Sequence, residues 1–316
     1  MIEQRTRPAP APATTAPDTP VALLLGASGT SDGPGGTAAA SALLEAWACG
    51  IATHVVDQAS RLATRDRATT QLADASSGLD VTRPDLCAAW AREQTDRGRR
   101  FDVVLGLRPE VQEAAAVTAE ALGLPGNRPD VVRRVQDPGA CRAALAAEGF
   151  LVEATPEPEP VPGTLAAVGV FAAGRPQVVL VASVPPDGPV RTAELTGPAW
   201  AAVAGEASAA VRRLGLEFGV FRVELRPTGR GHVLSTVRTT LGDDGVHALL
   251  GTAAPWLEPF GAVYDDALGR ALPLPSPARP RTAAPTRVRP AVAPVLGLAG
   301  DPDDAREEPH LCRGID

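Results

Sequence analysis

A short apolar segment that runs into a glycine-rich turn constrains the fold of this chain more than any other feature. Val21-Ala-Leu-Leu-Leu-Gly26 predicts a buried strand, and apolar residues at helical spacing predict a helix over Thr37 to Cys49. Ile51 to Val56 is a second apolar strand that ends at Asp57. Because parallel neighbours need a crossover connection, a strand, a helix and a strand in this order indicate a parallel sheet.

The pattern of strands and helices continues through the first half of the chain. Pro84 to Arg97 predicts a helix within a region that is otherwise polar and ambiguous. Phe101 to Leu107 predicts another strand. Pro109 to Leu122 predicts a second helix, because proline suits the first helical turn and Gly123 follows the last residue.

The second half of the chain predicts a different arrangement, with several strands around one helix. Pro198 to Leu214 predicts that helix, which Gly215 caps, and Pro227 to Gly231 predicts a hairpin turn. Strands, a helix and then a hairpin are typical of an α+β unit. The predicted strands are Val161 to Val170, Gln177 to Val184, Val220 to Leu225 and His232 to Arg238.

These elements divide the chain into a folded part and two terminal segments. Residues 1–20 and 273–316 are rich in proline with little to bury, and we predict that both are disordered. Between them we expect an N-terminal α/β domain over residues 21–130 and a core over residues 131–272. The basic stretch from Arg279 to Arg289 is either an interaction tail or a solvated linker, and its composition favours the linker.

Composition excludes several classes of protein. The formal net charge of −7 argues against electrostatic binding of nucleic acid. No apolar run approaches the roughly 20 residues of a membrane helix, and the N-terminal lead does not resemble a signal peptide, so we expect a cytoplasmic protein. Cys49, Cys87, Cys141 and Cys312 are far apart, which favours reduced thiols over a metal–thiolate site.

The glycine-rich loop after the first strand has two interpretations. Gly26 to Gly36 lies between a strand and a helix, as phosphate-binding loops do. Its sequence matches neither GxGxxG nor GxxxxGK(S/T), and the chain contains no lysine for the second motif, since all 30 residues in the Lys-plus-Arg count are arginine. A flexible turn at the edge of a sheet is therefore favoured, with phosphate binding as the alternative.

Two groups of motifs resemble one known family. Ala121-Leu-Gly-Leu-Pro-Gly-Asn-Arg-Pro129 precedes Asp137 and the segment from Cys141 to Gly149. Later, Phe221-Arg-Val-Glu-Leu-Arg226 leads through the hairpin to Leu241-Gly-Asp-Asp244. In this order the motifs resemble those of the ATP-grasp carboxylate–amine ligases. The resemblance implies an α/β fold in which a parallel-sheet, pre-ATP-grasp-like domain precedes an α+β ATP-grasp-like core.

The resemblance also implies a metal site that this chain has altered. In the family, a Glu on the first hairpin strand and a Glu and an Asn on the second hold Mg²⁺ between ATP phosphates. The first position is Glu224 here, but the other two are Thr236 and Arg238, and a substrate-binding Arg is replaced by Thr240. The lysine of the family's Asp-Lys pair is Pro138. Alternate strand positions share a face, so Thr236, Arg238 and Thr240 are expected together, and Arg238 is expected to pair with Glu224.

The family's central lid has no counterpart in this sequence. In ATP-grasp ligases a lid with glycine-rich, lysine-bearing strands follows the helix that here ends at Gly149. Leu151-Val-Glu153 resembles the hinge that normally follows the lid, and a stiff link from Thr155 to Pro160 comes next. The core is therefore predicted to be truncated. Since a lid excludes water from phosphoryl transfer, its loss bears directly on activity.

Three functions remain open at this stage. The favoured one is a catalytically degenerate relative, without a cofactor, that binds a small molecule or an active ligase partner. The second is an active ligase that uses ATP and Mg²⁺ to join a small-molecule carboxylate to an amine through an acyl phosphate. The third is an interaction protein that acts through its arginine-rich tail. For the active ligase, the candidate residues are Arg238 for catalysis, Arg142, Arg222 and Arg226 for ATP, and Glu224, Asp243 and Asp244 for the metal.

Overall fold

The computed structural model describes residues 19–27, 36–63, 72–153, 162–229, 231–242, 244–271 and 274. Most of the two terminal segments predicted to be disordered lies outside these residues, as does most of the glycine-rich loop. The described residues all belong to one compact unit, Met1–Pro277. None of the described helices is both long enough and apolar enough to span a bilayer.

The first four strands form a parallel sheet in the order β3-β2-β1-β4. All six residues of β2 are buried, as an interior strand of a parallel sheet requires. The parallel sheet predicted from the first strand and helix is therefore confirmed. Its strands are β1 (Val21–Leu25), β2 (Ala52–Asp57), β3 (Ala75–Gly78) and β4 (Val103–Gly106).

Three helices of the first half lie where the sequence predicts them, with one difference at a start, and a short helix over Ala59–Ala63 was not predicted. Pro109 opens a 3₁₀ turn, Pro109–Val111, and the α-helix begins only at Gln112. Gly123 adopts a left-handed conformation with φ of 67° and ends this helix, as glycine commonly does. The helices are α1 (Gly36–Ala48), α2 (Ala59–Ala63), α3 (Pro84–Asp96) and α4 (Gln112–Leu122).

An antiparallel sheet in the order β7-β6-β5-β8-β9 forms the second half. The β8–β9 hairpin is longer than predicted, because the strands extend to Thr228 and begin again at Gly231. Its register contains a bulge, so that Leu225 opposes Leu234 while Glu224 opposes Thr236. The strands are β5 (Leu165–Ala172), β6 (Arg175–Ser183), β7 (Arg191–Thr192), β8 (Val220–Thr228) and β9 (Gly231–Arg238).

Several helices of the second half were not predicted. Asp137 caps a further helix, the one that the family resemblance implies before Gly149, by accepting hydrogen bonds from the amides of Gly139 and Ala140, at 2.8 and 3.0 Å. The predicted helix over Pro198 to Leu214 is confirmed and begins one residue earlier. The helices are α5 (Pro129–Gln136), α6 (Pro138–Ala147), α7 (Gly197–Leu214), α8 (Asp244–Ala253) and α9 (Pro259–Ala267).

Apolar side chains pack in three groups, one between the two sheets and one on the outer face of each sheet. One group joins a face of the parallel sheet and α1 to a face of the antiparallel sheet, with α8 and α9. A second packs α5, α6 and α7 against the other face of the antiparallel sheet. The third packs α3 and α4 against the other face of the parallel sheet. The fold therefore alternates layers of helix and sheet, which is how each sheet buries both faces.

Asn127, from the Leu-Gly-Leu-Pro-Gly-Asn motif, fastens the first half of the chain to the start of β8. Its side-chain oxygen accepts hydrogen bonds from the amides of Glu217 and Phe218, at 2.8 and 3.0 Å. Its side-chain nitrogen donates to the carbonyl of Phe218 at 2.8 Å. One half-buried amide group thus satisfies three backbone groups of the turn that enters β8.

Replacing Asn127 with alanine should lower the free energy of unfolding by about 2 kcal/mol, because three hydrogen bonds are lost at a half-buried site. Asn127→Asp retains both acceptor contacts but places a carboxylate oxygen against the carbonyl of Phe218, so it should also lose stability. Urea unfolding of the two variants beside the parent protein measures the losses. An unchanged free energy of unfolding for Asn127→Ala would show that the three hydrogen bonds contribute nothing.

Candidate functional site

A cleft of about 270 Å³ lies where the end of β9 faces the junction of α5 and α6. The N-cap Asp137 and the proline that follows it start α6 at this point, so the first turns of α6 form one wall. The side chain of Gln136 donates to the carbonyl of Pro109 at 2.6 Å and fixes a second wall to the 3₁₀ turn. The lining includes Gln112, Gln136, Cys141, Arg142 and the segment from Ser235 to Thr240.

Hydroxyl and guanidinium groups give this cleft its chemical character. Thr236, Thr239 and Thr240 contribute hydroxyls, while Arg142 and Arg238 contribute positive charge. No aspartate or glutamate is among the described residues that line it. The cleft is therefore suited to a negatively charged or hydrogen-bonding group, and not to a cation.

Cys141 is a structural residue of this cleft. Its side chain is buried beneath α6, and burial raises the pKa of the thiol to about 11, against a smaller lowering by the charge of Arg142. A thiol with that pKa is protonated at neutral pH and is a poor nucleophile. Covalent chemistry at Cys141 is not expected.

Glu224 is held by Arg222 and not, as the sequence predicted, by Arg238. The Oε1 atom of Glu224 lies 2.7 Å from Nη2 of Arg222, and the two side chains are 14% and 6% exposed. In the hairpin, Arg222 is directly opposite Arg238, and Glu224 is opposite Thr236. The prediction of an Arg238–Glu224 pair is therefore wrong, because Arg222, two residues from Glu224 on β8 and on the same face of the strand, is the guanidinium that pairs with it.

The described residues do not fit Mg²⁺ at the position that the family resemblance implies. Mg²⁺ prefers an octahedron of oxygen ligands with one or two carboxylates. Glu224 already pairs with a buried guanidinium, and the described residues contain no group of three acidic, histidine or cysteine side chains that could hold a metal. Asp243, a candidate ligand, lies outside the described residues, and Asp244 begins α8 without a described side chain.

The remaining candidate, Arg226, has a structural contact outside the cleft. Its Nη2 atom lies 3.5 Å from Oε1 of Glu153, which is almost fully buried. Glu153 belongs to the segment that resembles a hinge, and its amide donates to the carbonyl of Leu234 on β9 at 3.1 Å. Leu234 in turn donates to the carbonyl of Leu151 at 2.8 Å. Arg226 therefore helps to fasten this segment to the hairpin.

The structure brings together two of the predicted site residues and separates the others. Arg142 and Arg238 line the same cleft, whereas Arg222 and Glu224 pair with each other outside its lining and Arg226 contacts the hinge-like segment. Sequence reasoning missed the wall that α5 contributes. A signal was present, since Pro129 precedes valines at helical spacing, and Val131, Val132 and Val135 are all buried.

The connection between α6 and β5 leaves no room for a separate lid. Helix α6 ends at Ala147 and β5 begins at Leu165, so only residues 148–164 lie between them. Of these, residues 154–161 are outside the described part of the chain. The connection is much shorter than the roughly 50 residues of a small domain.

Comparisons with known proteins were made with sequences and with solved structures. No family model and no curated protein sequence matches the chain. Phosphoribosylglycinamide synthetase from Anaerococcus prevotii is similar in structure, with a TM-score of 0.63 at 12% identity over 80% of this chain and 76% of that one. An L-amino acid ligase from Bacillus licheniformis has a TM-score of 0.61 at 18% identity over 81% and 75%.

A third solved structure agrees with these two. Glycinamide-RNase-transformylase T from Mycobacterium tuberculosis has a TM-score of 0.60 at 16% identity and covers 81% of both chains. At such identities a structural likeness shows the fold and not the activity. The resemblance drawn from the sequence motifs is confirmed at the level of the fold, and the chain has an ATP-grasp-like fold.

Proposed function

We propose that this protein is a lid-less, catalytically degenerate relative of the ATP-grasp carboxylate–amine ligases that binds a small molecule, or an active ligase partner, without turning over ATP. The observation that carries the proposal is the buried Glu224–Arg222 ion pair. A carboxylate that is already neutralised by a guanidinium at 2.7 Å is a weak ligand for a divalent cation, which the same guanidinium repels.

The short connection between α6 and β5 supports the same proposal. Phosphoryl transfer depends on positioning, on metal ions that neutralise phosphate charge and on the exclusion of water. A chain with only residues 148–164 at this point has no separate lid to close over a nucleotide. The absence of lysine removes the compact ammonium charges that usually contact phosphates in this family, and arginine does not reproduce that contact.

An active ligase is the second candidate, and the cleft itself favours it. Arg142 and Arg238 supply two guanidiniums that could neutralise the charge of an acyl phosphate formed from a small-molecule carboxylate, before an amine attacks it. This function would require ATP and Mg²⁺, with Glu224, Asp243 and Asp244 as the metal ligands. It would also require Glu224 to exchange its partner Arg222 for the metal.

The two candidates predict opposite results for Glu224→Gln. For a degenerate protein, the purified full-length chain should release no ADP that depends on a carboxylate and an amine in the presence of Mg²⁺ and ATP. Glu224→Gln should then leave both this background and the affinity for ATP unchanged. Glu206→Gln is a matched control, because Glu206 is another partly buried glutamate with a close side-chain partner, the Nδ1 atom of His232 at 2.6 Å. Amine-dependent ADP release that is abolished by Glu224→Gln and retained by Glu206→Gln would establish the active ligase instead.

A further inference from the structure

Arg238 is an exposed arginine at the end of β9 that lines the cleft. Most of the described arginines lie beside a carboxylate, as Arg108, Arg134 and Arg213 do. The side chain of Arg238 makes no ion pair or hydrogen bond with any described residue. A guanidinium that faces a cavity without a described counter-charge is available to a ligand.

The register of the hairpin strengthens the case for a bound anion. Arg238 is directly opposite Arg222, and residues directly opposite in an antiparallel pair project from the same face of the sheet. Glu224 neutralises the charge of Arg222 at 2.7 Å, so Arg238 is the guanidinium on this face that has no described counter-charge.

The rest of the cleft wall adds groups that recognise oxygen atoms. Arg142 contributes a second guanidinium from α6, also without an ion pair to the described residues. Thr239 and Thr240 line the same cleft at 9% and 8% exposure, so their hydroxyls belong to a built, largely enclosed surface. A guanidinium fork matches the two oxygens of a carboxylate or phosphate, and needs no metal ion between itself and the anion.

The volume of the cleft limits the size of the ligand. At about 270 Å³ it lies just below the roughly 300–1,000 Å³ that is typical of pockets for drug-sized molecules. A nucleotide is not expected to enter it whole. A small acid or the charged end of a larger molecule fits.

We infer that the cleft binds a carboxylate or phosphate group of a small molecule directly through Arg142 and Arg238, with no divalent cation. The inference rests on the proposed loss of the metal site and names the class of ligand that the degenerate site takes. The family resemblance implies a cation held between acidic side chains, whereas this chain presents two guanidiniums to an anion.

Titration calorimetry on the full-length protein in excess EDTA tests this inference, with inorganic phosphate and succinate as separate probes at constant ionic strength. At least one probe should bind with a Kd of about 1 mM or below. Arg142→Gln and Arg238→Gln should each weaken binding about tenfold, the usual effect of losing one charged hydrogen-bonded contact. Arg238→Lys should give an intermediate affinity, because the charge remains and the fork is lost. Binding of phosphate alone identifies a phosphorylated ligand, and binding of succinate alone identifies a carboxylic acid.

Arg191→Gln is the matched control, because Arg191 is an exposed arginine on β7, at the opposite edge of the same sheet. It should bind both probes as the parent does. The inference is overturned if neither probe binds in EDTA, or if Arg191→Gln weakens binding as much as Arg238→Gln. If anions bind only after Mg²⁺ is added, both the inference and the proposed function fail. If EDTA-resistant binding persists in a protein that also releases ADP in an amine-dependent reaction, the proposed function fails and the anion site stands.

Discussion

Replacing Arg108 with methionine should lower the free energy of unfolding by about 3–5 kcal/mol, the usual cost of removing one partner from a buried ion pair. Asp57 ends β2 and Arg108 follows β4, the strands on either side of β1, so both residues lie at the carboxyl edge of the parallel sheet. Two hydrogen bonds of 3.2 Å join the guanidinium to the two carboxylate oxygens, and the side chains are 7% and 0% exposed. Without Arg108, the carboxylate of Asp57 remains buried beside an apolar side chain.

Urea unfolding of Arg108→Met and of the double variant Asp57→Leu/Arg108→Met measures this effect. The double variant should recover much of the loss, because it leaves no buried charge without its partner; Glu110, the other carboxylate beside Arg108, is 46% exposed and stays hydrated. Arg83→Met is the control: Arg83 pairs with Asp85, but both side chains are more than half exposed, so less than about 1 kcal/mol is expected. A loss of that small size for Arg108→Met would show that the buried pair contributes no more than a surface pair.

The same pair bears on the function of the parallel sheet. Ligands of open α/β proteins bind at the carboxyl ends of the strands, which is where Asp57 and Arg108 lie. Gly26 approaches them so closely, at a φ of 74°, that an added Cβ would lie 3.3 Å from the Nε atom of Arg108. The polar side chains described at this edge therefore contact one another. The cleft beside β9, where guanidiniums have no described partner, is the better candidate for a ligand.

The sequence predicts most of the architecture because its apolar periodicity is strong. Ile51 to Val56 is a short apolar run that predicts a buried strand, and proline and glycine mark the two ends of the helix that precedes Gly123. The segment of residues 129–136 is short and carries four charged or amide side chains, so the apolar face of α5 was overlooked. Helices α8 and α9 were missed because the residues that they pack against, including those of α1, are far away in sequence.

The residue opposite Glu224 on β9 could not be predicted, because it depends on a bulge. Between Gly231 and Leu234 the hairpin register is regular, and its simple continuation would place Ser235 opposite Glu224. The bulge shifts the register by one residue, so that Thr236 takes that position and Arg238 comes opposite Arg222. A shift of one residue transfers side chains to the other face of a sheet. The bulge therefore brings Arg238 to the same face as Arg222, and the local sequence does not predict the bulge.

Gly169 provides the second large expected effect, because no side chain fits at its position on β5. A Cβ added there would contact the ring of Phe221 and lie 2.5 Å from the carbonyl oxygen of Gln177. Phe221 is directly opposite in the sheet and fully buried, so neither the ring nor the neighbouring backbone has space to move away. Gly169→Ala should therefore destabilise the protein by roughly 3 kcal/mol, at the upper end of what an overpacked core costs.

Gly205→Ala is the matched control, with an expected change of the opposite sign. Gly205 lies in an exposed position within α7, and an added Cβ there meets nothing within 4 Å. Alanine in a helix interior is favoured over glycine by about 0.5–1 kcal/mol, so this variant should be more stable than the parent in urea. Should Gly169→Ala fail to fold, Phe221→Leu in the same chain is expected to recover part of the loss, because it removes the ring but not the carbonyl. Two glycine-to-alanine changes that shift stability in the same direction would contradict the packing of β5 against β8.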